Sequence, residues 1–315
     1  MSTPDIVVLG NANVDLTTYM EHAPAEGETV IGHDFSIGMG GKGANQAVAA
    51  ARAGSEVAFI ARRGDDSFGD MIHSALSAEG LHLEHLVQVP GPSGNATIYV
   101  EDSGANRIAV FLGASATITA AGASDAVASL SGARYFVSQF EVKQEIVLAG
   151  LQAAGDHGMI RVLNTAPYAP LIPGITANID WLIANEVEME GILAEAEIDA
   201  TVDASPAELE SSIPEWSTAL GCNLVVTLGS KGAVGFAPND GAFFAEAPVV
   251  SAVDTVGAGD CFVGYFVSLM SHGHDWQGAL KGAVSAASES VQKPGAQSSY
   301  PARTEAQRFA ALAGH

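Results

Sequence analysis

Two cysteines, Cys222 and Cys261, are all that 315 residues contain. No paired disulfide framework and no metal-ligand spacing can be built from them, so free thiols in a reducing cytoplasm are the expectation. Positive charge is also scarce: 13 Lys plus Arg stand against 36 Asp plus Glu, a formal net charge of −23. Without a Lys/Arg cluster, neither a nucleic-acid face nor an anionic membrane surface is expected as a partner. No apolar stretch reaches membrane-spanning length, and no basic segment followed by a long apolar run opens the chain, so neither a membrane span nor a secretory leader is expected. The nine histidines form no metal-spaced pair with a supporting acid, and His272 and His274 read as an exposed helix end. A Walker A loop is missing too, because Lys42 is followed by Gly43 rather than Ser or Thr.

Apolar residues make up 48% of the chain and glycines number 35, enough for a large core and for many strand–helix turns. The acidity constrains any anionic ligand, which would have to be held by backbone N–H groups, a divalent cation and a few local lysines. Solubility is an equal use of the same charge.

Short apolar runs at Ile6–Gly10, Val57–Ala61 and Leu224–Thr227 read as buried strands. Helical patterns alternate with them at about Gly43–Ala53, Ser67–Glu79, Lys143–Ala154 and Glu208–Leu220, and two more follow near Asp260–Ser271 and Trp276–Val291. Such alternation predicts a mostly parallel sheet covered on both faces, an α/β fold. Val14–Ile37 and Gly94–Gly113 break the pattern and read as β-ribbon.

The most informative segment is Val253–Phe266, V-D-T-V-G-A-G-D-C-F-V-G-Y-F. Small residues lead into Asp260 and then an apolar helix. Gly257, Ala258 and Gly259 can bring backbone N–H groups onto an anion at that helix N-terminus, while Asp260 takes a proton from a hydroxyl. That is the layout of a phosphoryl-transfer site. The same letters suit tight helix packing. Cys261 could be a favoured thiolate there or simply a small packing residue. A second glycine-rich segment, Gly38–Gly54, G-M-G-G-K-G-A-N-Q-A-V-A-A-A-R-A-G, tips the balance toward chemistry. Three further segments stand in order along the chain: G-N-A-N-V-D at Gly10–Asp15, N-E-V-E at Asn185–Glu188 and T-L-G-S-K-G at Thr227–Gly232, with G-A-Q-S-S at Gly295–Ser299 near the end.

Together these segments resemble the PfkB (ribokinase-like) family of carbohydrate kinases, from Val7 to about Pro301. The resemblance implies a three-layer α/β/α sandwich with a mostly parallel central sheet. It implies one kinase domain over 1–315, with a small β lid formed by about 14–37 and 94–113 and often used as a homodimer interface. The implied activity is phosphorylation of a sugar by ATP. The runs at Gly40–Ala47 and Gly295–Ser299 are most similar to the members that act on D-ribose. A relative acting on deoxyribose, another sugar or a nucleoside would keep the same chemistry, and a non-catalytic sugar or nucleotide sensor would not need Asp260.

Residue by residue, the resemblance places Asp260 as general base and Gly257, Ala258 and Gly259 as the anion nest. It places Asn13, Asp15, Gly41, Lys42, Gly43, Asn45 and Glu141 on the sugar. Asn13 and Asp15 stand two apart and so share one face of an extended segment, though they could instead cap a turn, and Glu141 alone would be a helix-start acid. Asn185, Thr227, Gly229, Ser230, Gly232 and Gly259 fall to ATP, although Thr227–Gly232 also reads as a plain β-turn. Glu188 falls to Mg²⁺ through water, consistent with the few carboxylates that ion needs. Asp254 and Ser299, with the carbonyls of Val256, Ser290, Lys293 and Gly295, match a K⁺ site. The chain departs from the pattern at Lys293-Pro294, at apolar Val284 beside the expected adenine, and at Tyr265 where a small residue is usual.

Overall fold

The computed structural model describes residues 3–202 and 204–314. Nine strands form one sheet in the order β13-β12-β11-β10-β9-β8-β1-β4-β5. They are β1 (Ile6–Leu9), β4 (Val57–Gly64), β5 (Leu86–Val89), β8 (Tyr135–Gln139), β9 (Ile160–Asn164), β10 (Trp181–Asn185), β11 (Asn223–Thr227), β12 (Gly232–Ala237) and β13 (Gly241–Glu246). Neighbours from β11 across to β5 run parallel, while β12 and β13 add an antiparallel hairpin at one edge.

Strand periodicity divides the core. Ile6 and Val8 of β1, with Val57 and Phe59 of β4, face one cluster. There they meet α1 (Lys42–Arg52), α2 (Ser67–Ala78), α7 (Ala258–Ser271), α8 (Trp276–Ser290) and α9 (Ala306–Ala313). Val7, Leu9, Ala58 and Ile60 face the opposite cluster. That side is covered by α3 (Ala120–Ser129), α4 (Gln144–Asp156), α5 (Glu186–Glu195) and α6 (Pro206–Leu220). Alternating side chains thus bury both faces of the sheet, giving the three layers that the apolar runs predict.

A second sheet has the order β3-β2-β6-β7, from β2 (Asn13–Met20), β3 (Asp34–Gly40), β6 (Gly94–Glu101) and β7 (Asn106–Phe111). These strands occupy the two regions read as ribbon. β2 and β6 pair in parallel at its centre, and β3 and β7 lie antiparallel at its edges. Phe35, Ile37, Ile108, Val110 and Phe111 of the edge strands are exposed. Only Gly10, Asn11 and Ala12 separate β1 in the large sheet from β2 in the small one.

Helix ends follow local chemistry. Asp66, Thr119 and Asp275 accept the N–H three residues on at the starts of α2, α3 and α8, while Asn185 and Ser205 form capping boxes with Glu188 and Glu208 at the starts of α5 and α6. Among the described residues, no helix is long and apolar enough to cross a membrane. Both cysteines are buried and free. Desolvation raises the Cys261 thiol far above its ordinary value, so the helix N-terminus does not make it a thiolate, and it packs as a small core residue.

Candidate active site

The carboxyl ends of the parallel strands carry polar residues in a row. Gln139, Asn164, Asn185 and Thr227 are the last residues of β8, β9, β10 and β11. In open α/β sheets this edge is where ligands bind, because the helix N-termini that follow converge there. A cavity of about 220 Å³ opens beside it, lined by Lys42, Asn164, Asn185, Glu188, Thr227, Thr255, Gly257, Gly259 and Asp260 among others. A second cavity of about 490 Å³ shares Thr227, Thr255 and Gly259 with the first, so the two adjoin.

Asp260 sits in the first turn of α7 and is buried. The turn before it depends on Gly257, whose φ of 75° lies in the left-handed region, where a Cβ would also strike the Tyr300 hydroxyl at 2.6 Å. That hydroxyl donates to the Gly257 carbonyl at 2.9 Å and fixes the turn. Ala258 N–H bonds to Thr255 O and Cys261 N–H to Gly257 O. The N–H groups of Gly257, Gly259 and Asp260 have no acceptor among the described residues. An anion at this terminus would meet open donors and the positive end of the helix dipole.

The carboxylate of Asp260 accepts from Gln46 Nε2 at Oδ1 and from Asn45 Nδ2 at Oδ2, both at 3.0 Å. Among the described residues, Lys42 is the single cationic side chain lining the smaller cavity. Its ammonium is held above the ordinary lysine range, chiefly by Asp260 and further by Glu141 and Glu188, against desolvation. It therefore stays charged where phosphate charge would need balancing. Its backbone N–H donates to Glu141 Oε2 at 2.8 Å, joining two residues 99 apart in sequence.

Asn13 and Asp15 are on β2, and Asp15 pairs with Gly38 and Ala96 at the root of the small sheet. Burial, then Glu141, pushes the Asp15 carboxyl from 3.8 up to about 7. Buried Asn13 Oδ1 and Asn11 Nδ2 lack partners, as do both polar atoms of the Gln139 side chain. A protein leaves such groups unpaired at a cost, and hydroxyl-rich ligands can supply the missing bonds. Gly43, which the resemblance places on the sugar, also has a packing role. A Cβ there would lie 2.7 Å from the Gly10 Cα and the Asn11 backbone nitrogen, so its missing side chain lets α1 pack on the β1–β2 turn. Gly41, at φ 89°, is the residue preceding α1.

Glu188 is buried, and burial raises its carboxyl above the ordinary range. Its Oε2 accepts from Asn185 N–H at 3.0 Å, and it lines the smaller cavity with Asp260. Among the described residues no three His, Cys, Asp or Glu cluster as a metal cage. A divalent ion here would rely on Glu188, water and ligand phosphates, a donor set that suits Mg²⁺. Thr227, Gly229, Ser230 and Gly232 line the larger cavity, and Val284, Phe262 and Val250 furnish its apolar wall. Lys231, between Ser230 and Gly232, pairs with Glu186 at 3.8 Å.

Asp254 and Ser299 line neither cavity. Asp254 Oδ1 accepts from Val256 N–H at 3.0 Å and Oδ2 from Gly295 N–H at 2.8 Å, binding the loop before α7 to the loop after α8. Lys293-Pro294 does not prevent that closure. The carbonyls of Val256, Lys293 and Gly295 accept no hydrogen bond among the described residues. Those carbonyls, the Asp254 carboxylate and the Ser299 hydroxyl are hard oxygen donors of the kind a monovalent cation takes, whereas the Ser290 carbonyl already accepts from Lys293 N–H at 3.2 Å. Tyr265 is fully buried, edge-on to Phe309 at 5.2 Å, and its hydroxyl donates to Pro301 O, so this departure anchors the C-terminal segment away from the cavities.

Gln46, Asn164, Thr255, Gln297 and Tyr300 were not legible as site residues. Gln46 and Gln297 stand inside the quoted motifs, but nothing in the letters alone aims them at Asp260.

A three-layer α/β/α fold, with an acid in a helix turn of open N–H donors and a polar cavity of about 220 Å³ beside it, has the layout of a small-molecule phosphotransferase. The family model for pfkB family carbohydrate kinases matches residues 3–303, and the chain belongs to that family. It is 36% identical to a deoxyribokinase from Salmonella typhimurium over 310 residues, covering 98% of this chain and 99% of that one. It is 35% identical to a ribokinase from Schizosaccharomyces pombe over 308 residues, 96% of each chain. The structure of Arabidopsis thaliana ribokinase complexed with ribose and ATP superposes with a TM-score of 0.87 at 28% identity, covering 98% and 99% of the two chains.

Proposed function

We propose that the protein transfers the γ-phosphoryl group of ATP to the primary hydroxyl of D-ribose, forming ribose 5-phosphate. The observation that carries this reading is the Asp260 carboxylate beside the open N–H groups of Gly257, Gly259 and Asp260, at the junction of a polar and a more apolar cavity. The sugar lies on the small-sheet side, against Asn13, Asp15, Gly41, Lys42, Gly43, Asn45 and Glu141. The nucleotide base lies in the larger cavity near Val284, with its phosphates past Thr227, Gly229, Ser230 and Gly232 toward Asn185. Asp260 accepts the hydroxyl proton as the oxygen attacks, and the Gly257–Asp260 turn and Lys42 balance charge on the moving phosphoryl group. Glu188 would hold Mg²⁺ through water, and the ion would supply charge neutralisation on the phosphates.

The small sheet acts as a lid that excludes water and limits ATP hydrolysis. Its exposed Phe35, Ile37, Ile108, Val110 and Phe111 suit burial against a second copy in a homodimer; sedimentation that finds only monomer at assay concentration would remove that part. The cytoplasm is the compartment, where the two buried thiols stay reduced.

Deoxyribose is the second reading, because the deoxyribokinase and the ribokinase stand at 36% and 35% identity, too close to separate. The deciding experiment measures ADP release with ribose, 2-deoxyribose, fructose and adenosine. The expected outcome is the highest kcat/KM for ribose. A higher value for deoxyribose replaces the substrate, and ADP release with none of them removes the kinase reading.

K⁺ is expected to raise turnover and Na⁺ to do so poorly, because Asp254 ties together the two loops whose carbonyls would hold the ion. Val256 is one residue before the Gly257 turn, so the ion acts on nest geometry more than on sugar contacts. Rates are compared in K⁺, Na⁺ and a bulky organic cation at fixed ionic strength, for the wild type and Asp254→Ala. Equal wild-type rates in all three salts would count against the site.

A further inference from the structure

We propose that Gln297, from the loop after α8, is a positioning residue that fixes the amide of Asn45 and through it the carboxylate of Asp260, with Gln46 as its counterpart on the other side. This rests on the reading of Asp260 as general base. Asn45, Gln46, Asp260 and Gln297 are 6%, 1%, 4% and 7% exposed, so their hydrogen bonds are with one another rather than with bulk water.

The four side chains form a directed chain. Gln297 Nε2 donates to Asn45 Oδ1 at 3.0 Å, and Asn45 Nδ2 donates to Asp260 Oδ2 at 3.0 Å. From the other side, Gln46 Nε2 donates to Asp260 Oδ1 at 3.0 Å and to Asn164 Oδ1 at 3.1 Å. Asn164 Nδ2 in turn donates to the Ile183 carbonyl of β10 at 3.1 Å. An ionised carboxylate only accepts, so each amide next to it must present nitrogen. Once Asn45 does so, its oxygen points away and needs a donor, which Gln297 supplies. Gln46 Oε1 is left buried without a partner. That residue is held for its two N–H donors, at the expense of its carbonyl.

The outer end of the chain is pinned independently. Arg52 Nη1 donates to Gln297 O at 2.6 Å and to Tyr300 O at 3.1 Å, and the same guanidinium meets Glu79 through Nε and Nη2 at 3.0 and 2.5 Å. The loop that carries Gln297 is therefore a fixed bracket. It reaches the reacting centre through one side-chain amide.

The test compares Gln297→Glu and Gln297→Leu with the wild type, following kcat, KM for sugar and ATP, and thermal melting. Ionised Glu at 297 is an acceptor facing the Asn45 oxygen. Either Asn45 turns and puts its oxygen against Asp260, or the contact opens. The expected result for Gln297→Glu is a fall in kcat of about 100-fold, the scale of a small misplacement of reacting groups, with KM for ATP changed less than about twofold. Gln297→Leu keeps the volume without the second acid, and about a tenfold fall is expected, by the loss of one buried hydrogen bond. If Gln297→Glu does not fold, Gln297→Leu decides: kcat within about threefold of the wild type overturns the proposal. So does a folded Gln297→Glu with wild-type-like kcat, or a fall in kcat matched by an equal rise in KM for ATP. A wild type that phosphorylates no sugar would remove the general-base reading and this proposal together. An active wild type with an unaffected variant removes this proposal alone.

Discussion

Asp260→Asn is expected to leave a folded protein that binds nucleotide and no longer transfers phosphoryl groups at a useful rate. The amide preserves the shape of the carboxylate but cannot accept the hydroxyl proton, and a well-placed general base contributes typically ~10²–10⁴-fold. The substitution also puts an amide where Gln46 Nε2 and Asn45 Nδ2 now donate to two carboxylate oxygens. One of those donors loses its acceptor, so a modest drop in melting temperature accompanies the loss of activity. The measurement is kcat with purified variant beside a nucleotide titration. Turnover near the wild-type rate would sink the assignment of Asp260 as the base.

The second large effect is expected at Asp15. Asp15→Ala should weaken sugar binding by about tenfold to a hundredfold, since a hydrogen bond to a charged group is worth roughly 1.5–3 kcal/mol, while ATP binding stays nearly unchanged. The same residue is expected to make sugar affinity depend on pH. Burial and then Glu141 push its carboxyl from 3.8 up to about 7 in the fold. Below 3.8 the group is neutral in both folded and unfolded chains, and its contribution to stability is fully present. As pH rises toward 7 the unfolded chain ionises while the fold keeps the proton, so that contribution falls away and is lost once the folded group ionises as well. Sugar hydroxyls that donate to the ionised carboxylate reverse the preference and expel the proton. Affinity should therefore rise between pH 5 and 8 in the wild type and stay flat in Asp15→Asn, read by calorimetry in buffers of different ionisation enthalpy. Parallel curves for the two proteins would make Asp15 a structural residue.

The large-sheet architecture was legible because alternation of short apolar runs with helical patterns leaves few other solutions. Predicted Ser67–Glu79 and observed Ser67–Ala78 differ by one residue, since Asp66 marks that start by capping. The β12–β13 hairpin was not read. Its Gly- and Ala-rich strands carry little alternation, and their place is set by pairing with β11. Within the site, glycine-rich turns and isolated acids announce themselves by composition. Gln46, Asn164 and Gln297 do not, because an amide has a role only through the partner that faces it, and those partners are 214, 118 and 252 residues apart in sequence. Gly43 shows a second use that the letters do not reveal, because its absent side chain also lets the fold pack.

The three-residue step from β1 to β2 has a consequence for selectivity. Asn13 and Asp15 belong to the small sheet, yet they stand at the point where it leaves the large one. Any swing of the small sheet would bend the chain beside Asn13 and Asp15, the residues proposed to read the sugar. On that proposal recognition and closure would share one hinge: a molecule without matching hydroxyls would fail to draw the strand home, and water would gain no closed chamber in which to intercept the nucleotide.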